Sequence, residues 1–451
     1  MLPLVLGLIV GYYIFFSPPI GLADSADFGR IFLQLGLDRS GTTPNDQFFN
    51  FFNPEYQINR ESKIPVKLTQ VFLFVSLIFN KIFYSESHYS IFFLSIIYFI
   101  LYIGGFYLFL RNLFRTSQLN HLGKYLVAGL SIIVLSDVMF VSYFNSLYQE
   151  ILFIVFFIYV IAFYLDSTIN YNYLLIALII LSVSKTQNFI FLILSFYIMI
   201  WKFKKTNKII LVGASFAVLF FRHFLIKEQK QTNKANLYET VFLGLMYCAS
   251  ESEKLKILND LDLKEANYLE NVKEVYWRPG NEIANRKGNL HKEFYSKVSQ
   301  LDIMITYIYN PQILFKMVIM GIKYLVINPA QPQHLGNYLK KDSKGAKLTL
   351  KETFWGKYLN KTFLLIYLFS LASCVYNIAT GRRNFRLTLT IILIMLIPLV
   401  FTATLVAGGI NDFVKHNLSV YFMISILFLL LCSNVLEIIK SQSASQKVAL
   451  F

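Results

Sequence analysis

The sequence predicts an all-α polytopic membrane protein with about ten transmembrane helices, an interfacial helix on the outer side and an inserted outer helical domain. Three observations carry this. Of 451 residues, 56% are apolar and 17% aromatic, and the mean hydropathy is +0.52, more apolar surface than a soluble core can hide. Apolar runs of spanning or near-spanning length recur along the chain. The basic residues between those runs gather on one side of the topology they define.

The first run, 2–17, has the apolarity of a signal peptide. It lacks a basic start and a small-residue cleavage site before Ser17, Pro18 and Pro19, so it is expected to stay as the first span. Further runs lie at 90–110, 125–143, 151–166, 173–184, 189–201, 209–226, 363–380, 387–407 and 418–436. The uncharged stretch between Lys67 and Lys81 is too short to cross and reads as a helix lying at the interface. The pair 173–184 and 189–201 is too long for one crossing and too short for two full ones. Its turn, Ser184 to Asn188, is expected either in a short tucked hairpin or below the bilayer surface, lining a polar cavity. The plainer alternative is that Lys185 snorkels.

With the N-terminus inside, the cytoplasmic segments carry Arg111, Arg115, Lys124, Lys202, Lys204, Lys205, Lys208, Arg382, Arg383, Arg386, Lys440 and Lys447. The short outer turns hold only Lys185 and Lys415. This orientation leaves two long outer segments, 18–89 and 227–361. The domains are then a transmembrane module over 1–226, an outer helical domain over 227–361, and C-terminal helices with a cytoplasmic tail over 362–451. The net charge of +16 is shared between the cytoplasmic loops and the lysine-dense second outer segment, which suits anionic lipids or phosphorylated carriers better than nucleic acid. Cys248, Cys374 and Cys432 show no paired spacing, so neither a disulfide framework nor a zinc site is expected.

The unusual polar residues fall in the breaks assigned to the outer face. A charge at membrane depth costs a few kcal/mol, roughly 2.5–3.5 on insertion scales, so such clusters call for a function. Asp24, Asp27 and Arg30 follow the first span; either aspartate can act as general base at headgroup depth, or cap the helix that starts near Phe28. In Tyr143 to Glu150, Asn145 and Glu150 can hydrogen-bond sugar hydroxyls and Tyr148 can stack, while Asn145 and Ser146 also suit an ordinary turn. Asp137, inside the membrane, can pair with Lys185 or with a backbone donor. In Gly408 to His416, Asp412 and His416 stand at i and i+4, where the carboxylate can charge the imidazole; with Lys415 they suit a phosphate. Within 227–361, Ile313 to Val326 reads as an in-plane amphipathic helix with Lys316 and Lys323 on one face. Neither GxGxxG nor a Walker loop occurs.

Together, ADFGR, YFNSLYQE, SKTQN and the late outer domain resemble the GT-C class of integral membrane glycosyltransferases. With NLYETVFLGLMYCAS, QHLGNYLK and GGINDFVKH they are similar, over most of the chain, to a branch of large bacterial membrane proteins assigned to cell-surface glycan assembly. The resemblance implies a polyprenyl-phosphate-linked sugar as donor, a glycan or glycolipid as acceptor, and an active site on the outer face of the cytoplasmic membrane. It implies Asp27 as catalytic base, with Asp24, Arg30, Asn145, Tyr148, Glu150, Gln187 and Asp412 around the substrates and Lys185, Lys415 and His416 on the carrier phosphate. The Asp-x-Asp or Glu-x-Asp pair of many relatives is absent, since Asp24 and Asp27 are three apart. No metal ligands are therefore assigned, metal dependence stays open, and so does the choice between the two aspartates. A flippase of lipid-linked glycan is the rival from another class, disfavoured by the lack of an internal repeat; a glycan polymerase or ligase is the nearer rival.

Overall fold

The computed structural model describes residues 2–16, 19–24, 27–39, 52–59, 67–166, 171–185, 188, 190–192, 230–263, 266–274, 280–284, 288–327, 335–337, 354–381, 385–410 and 413–449. In chain order the elements are α1 (Leu2–Phe15), β1 (Ile20–Leu22), α2 (Gly29–Phe32), β2 (Leu37–Arg39), β3 (Glu55–Ile58), α3 (Leu68–Phe83), β4 (His88–Ser90), α4 (Phe92–Thr116), α5 (His121–Leu135), α6 (Val138–Val141), α7 (Glu150–Leu165) and α8 (Tyr171–Ser184). There follow α9 (Lys230–Thr240), α10 (Glu251–Asp260), α11 (Asn289–Lys297), α12 (Gln300–Tyr309), α13 (Pro311–Ile327), β5 (Leu335–Asn337), α14 (Phe354–Ala379), α15 (Phe385–Gly408), α16 (Phe413–His416) and α17 (Leu418–Ala449).

Packing divides the chain into a first unit of Met1–Leu219, Pro329–Ile397 and Leu418–Phe451, and a second of Phe220–Asn328 and Pro398–Asn417. This differs from the expected boundaries at 226 and 361. Residues 329–361 go with the first unit, and 398–417 join the second, the division falling at Pro398 inside α15.

The expectation of purely α structure needs correction in the first loop, where β2, β3 and β4 form an antiparallel sheet and β1 pairs antiparallel with β5. Strands of three or four residues are too short for a two-residue alternation to show in sequence. Among the described residues four helices are long and apolar enough to cross a membrane: Phe92–Thr116, Lys361–Ala379, Arg386–Gly408 and Leu418–Gln442. The pair α12 and α13, bent by 99°, would make a fifth. Leu2–Phe15, Leu68–Phe83, His121–Leu135, Glu150–Leu165 and Asn172–Ser184 are apolar but shorter. The expected runs 189–201 and 209–226 lie almost entirely outside the described residues.

One short helix has a visible cause. The expected run 125–143 breaks where α5 stops at Leu135; Tyr102 Oη donates to the Leu135 carbonyl at 2.6 Å, and Asp137 accepts from Met139 N at 2.9 Å to start α6. A helix end at membrane depth is tolerated because neighbouring groups take up its backbone polarity.

In α3 the usual amphipathic arrangement is inverted. Thr69, Gln70, Leu73, Ser76, Leu77 and Asn80 are buried, whereas Val71, Ile78, Phe79, Ile82 and Phe83 are exposed. Such a helix buries its polar side against protein and offers its apolar side to lipid. The polar side pins the first loop: Gln70 Nε2 donates to Ile31 O at 3.3 Å and to Gln34 Oε1 at 2.7 Å. Asn80 Nδ2 donates to Ser85 O and His88 O, and Asn80 Oδ1 accepts from Ser90 N at 2.8 Å.

At the other end of the first unit, Arg386 is buried and donates to Ser433 Oγ and to Glu437. The second Glu437 oxygen accepts from Gln118 N at 2.6 Å. These bonds clamp α15, α17 and the α4–α5 turn.

In the second unit, α9 runs into a π-helical turn, Val241–Leu245. Thr240 Oγ1 donates to Ala407 O at 2.9 Å and Ile410 N to Leu243 O at 3.1 Å. Gly409, at φ +61°, lies so close that a Cβ would stand 2.4 Å from Leu243 O, so only glycine fits there.

Candidate functional site

The site sits in the first unit, at the end of the helices where α1 stops and α4 and α7 begin. The turn 143–149 is its frame. Asn145 is fully buried: its Nδ2 donates to Ile14 O at 2.9 Å and Ile20 O at 2.8 Å, and its Oδ1 accepts from Ser95 Oγ at 2.6 Å. Both amide hydrogens are used inside the fold, so Asn145 is a clamp between α1, β1 and α4. The expected contact of its side chain with a sugar is thereby corrected. Tyr148 is also buried, donating to Ala23 O at 3.1 Å with its ring edge-on to Phe28 at 4.7 Å. It supports the aspartate loop from beneath rather than offering a stacking surface.

On that loop Asp24 is 7% exposed. One of its oxygens accepts from Phe28 N at 3.1 Å and the other from Arg39 Nε at 2.8 Å, while the Arg39 guanidinium lies 5.0 Å from the Phe32 ring centre. Asp24 thus holds the turn ahead of α2, whose N-cap residue, Phe28, has no side-chain cap. Burial pushes the Asp24 carboxyl above its usual range; the Arg39 ion pair and the Phe28 amide pull it down, and nearby Asp27 adds a further upward push. Asp27 is half-buried at the start of α2. The Arg30 backbone lies in α2, and its side chain is outside the described residues.

Glu150 opens α7 and forms an ion pair with Lys185 at 2.6 Å, the two side chains being 8% and 19% exposed. Asp137 accepts from Met139 N at the start of α6, the backbone-donor alternative for that residue, and Lys185 pairs with Glu150. The depth of this pair follows from helix packing. A Cβ on Gly105 would stand 3.1 Å from Ile158, and Asn112 Nδ2 donates to Ala162 O at 2.9 Å, so α4 and α7 run in the same direction. At 1.5 Å rise per residue, these two contacts place Glu150 roughly 7–12 Å below the start of α4. The turn after α8 is stitched at this depth by Asn188, whose N donates to Lys185 O at 3.0 Å and whose Nδ2 donates to Ser184 Oγ at 2.8 Å. The second half of the expected hairpin, from residue 193 on, lies outside the described residues. Gln187 is outside the described residues.

Lys415 and His416 belong to the second unit, in α16; Lys415 is buried and the His416 ring packs on Gly408. Asp412 is outside the described residues. Among the described residues no three His, Cys, Asp or Glu side chains are grouped to hold a metal ion. Arg39 escaped sequence reading because β2 and β3, far apart from Asp24 in character, bring it back to the loop; its only signal was a lone arginine in an otherwise uncharged stretch after Asp38.

Apolar helices of crossing length, two of them joined by the Arg386–Glu437 ion pair, define a multi-pass α-helical membrane protein. The family model of the YfdI N-terminal transmembrane domain matches residues 1–449, and the chain belongs to that family. Neither the curated proteins nor the solved structures give a match.

Proposed function

We propose that this protein is a glycosyltransferase. It moves a sugar from a polyprenyl-phosphate carrier to a cell-surface glycan or lipid acceptor at the outer face of a bacterial cytoplasmic membrane, with inversion. The observation that carries the reading is the grouping, at one end of one helical unit, of a half-buried aspartate beside a paired one, with an ion pair set below the helix ends. Ionisable side chains at such depth are costly, and even when paired they mark substrate paths and active sites.

The two aspartates differ in a way that bears on the chemistry. Both Asp24 oxygens are occupied, by Phe28 N and Arg39, so Asp24 fixes the loop. Asp27, the residue the resemblance points to, is taken as the base. It takes the proton of an acceptor hydroxyl while that oxygen bonds to the anomeric carbon; the bond from that carbon to the carrier phosphate breaks, and its electron pair leaves on the phosphate. The Lys185 ammonium, oriented by Glu150, offsets that charge.

The test is mass analysis of surface glycans and glycolipids from cells with the wild-type chain, no chain, Asp27→Asn or Asp24→Asn at matched membrane levels. The reading expects the same single sugar increment to vanish without the chain and in Asp27→Asn. If Asp27→Asn keeps the increment and Asp24→Asn loses it, the roles are reversed. If no increment depends on the chain, transfer is wrong, and labelled carrier lipid trapped on one leaflet would favour transport.

A further inference from the structure

Helices α12 and α13, bent by 99° at Asn310, are together apolar and long enough to count as one broken crossing. We infer that they do not cross. They form a re-entrant wedge that enters and leaves a single leaflet on the side where α15 ends at Gly408, with lipid acyl chains as its partner.

Connectivity carries the first half. β5, after the wedge, pairs with β1 just beyond the end of α1. From β5 the chain makes two crossings, in α14 and α15, and so returns to the same side at Ala407. Thr240, before the wedge, donates to Ala407 O at 2.9 Å. The chain from Thr240 to Leu335 therefore begins and ends on one side and crosses an even number of times. The wedge is the one apolar stretch of crossing length within it, too short for two passages, so it makes none.

Packing carries the second half. Gly321 of α13 lies against α15, where a Cβ would stand 2.8 Å from Phe401 and 2.7 Å from Leu405. Those residues are roughly 5–10 Å below the end of that crossing at Gly408. The middle of α13 thus lies at membrane depth, not over it. On the face away from Gly321 the helix exposes Phe315 and Ile322, and α12 exposes Leu301 and Ile308, at 66%, 37%, 64% and 72%. A continuous apolar face of this size beside a crossing is a lipid contact. Charge agrees. Lys316 is drawn off to Glu253 of α10 by two bonds of 2.8 Å, while Lys323, one turn from Ile319 on the exposed face, can extend its amine to a headgroup phosphate.

The test uses the full chain in vesicles with Cys248, Cys374 and Cys432 replaced. Single cysteines at the exposed positions Ile308→Cys and Ile322→Cys carry an environment-sensitive fluorophore, with Glu251→Cys on α10 as reference. Emission at 308 and 322 is expected to be lost to spin-labelled acyl chains and kept against iodide, with the reverse at 251. Iodide quenching at 308 and 322 would overturn the insertion. Independently, Glu251→Cys and Lys361→Cys should react with an impermeant maleimide from the same side. Reaction from opposite sides would make the wedge a true crossing.

Discussion

A single side chain can show why a polar residue in a membrane chain is either a clamp or a tool. Asn145 spends both amide hydrogens on carbonyls of the first-loop segment, and its removal leaves those carbonyls buried without a donor. Asn145→Ala is expected to cost about 2–3 kcal/mol, the penalty for stranded buried acceptors. Its unfolding midpoint in detergent should fall well below that of Ser146→Ala, which loses one local bond to Tyr143 O and one from Tyr148 N. Glu253 makes a prediction in pH. The Lys316 ammonium and then the Ser250 backbone N–H hold its carboxyl down at about 2, from a usual 4.5. A depressed folded-state value gives stability that is present above 4.5 and lost as the pH falls toward 2. Wild type should show that loss on acid titration and Glu253→Gln should not. The difference at neutral pH should stay below about 1 kcal/mol, since the pair faces solvent.

At the scale of elements, α3 reverses the rule for soluble helices. Asn80→Leu, an inward change from polar to apolar, strips three bonds that tie the helix to Ser85, His88 and Ser90, and should destabilise by about 2–3 kcal/mol. Val71→Leu, on the lipid side of the same helix, should be silent in the same thermal assay. Gly409→Ala should be worse than either, because a left-handed φ alone costs about 1–2 kcal/mol and the Leu243 carbonyl leaves no room for the methyl group. How much of this was legible in the sequence depends on range. The existence and apolar character of α1, α4, α14, α15 and α17 follow from local composition, as does a separate helix after Lys67. The break at Ser136 and Asp137 was invisible because the apolar run continues straight through it, and only Tyr102, from another helix, explains why it is stable. The strands failed for a related reason: Ile20 to Leu22 finds its partner more than 300 residues away, and neither segment carries an alternation long enough to read. In the candidate site, the turns with Asp24, Tyr148, Glu150 and Lys185 stood out because charge in an apolar chain is rare. What each does was not readable, because Arg39 reaches Asp24 and Lys185 reaches Glu150 only through the fold.

For the whole molecule, the argument turns on which side the first loop faces. The first unit has two chemically different ends. One carries the paired acids and the short sheets; at the other, Arg386, Glu437 and Lys440 bind the last helices to the α4–α5 turn. The second end is also where Arg111, Arg115, Arg382 and Arg383 fall in sequence, and an excess of lysine and arginine in short loops is retained on the cytoplasmic side. That rule predicts the orientation with the first loop outside, which labelling tests. With the three native cysteines replaced, Glu86→Cys, exposed beside β4, should react with an impermeant thiol reagent in intact cells. Thr380→Cys, exposed at the end of α14, should react only after permeabilisation. The converse result would turn Asp27 toward the cytoplasm, where nucleotide sugars are available, and a carrier-linked donor on the outer face would no longer be the substrate class that the site meets. The membrane side of one loop residue therefore decides more about this protein's chemistry than a further list of its contacts would.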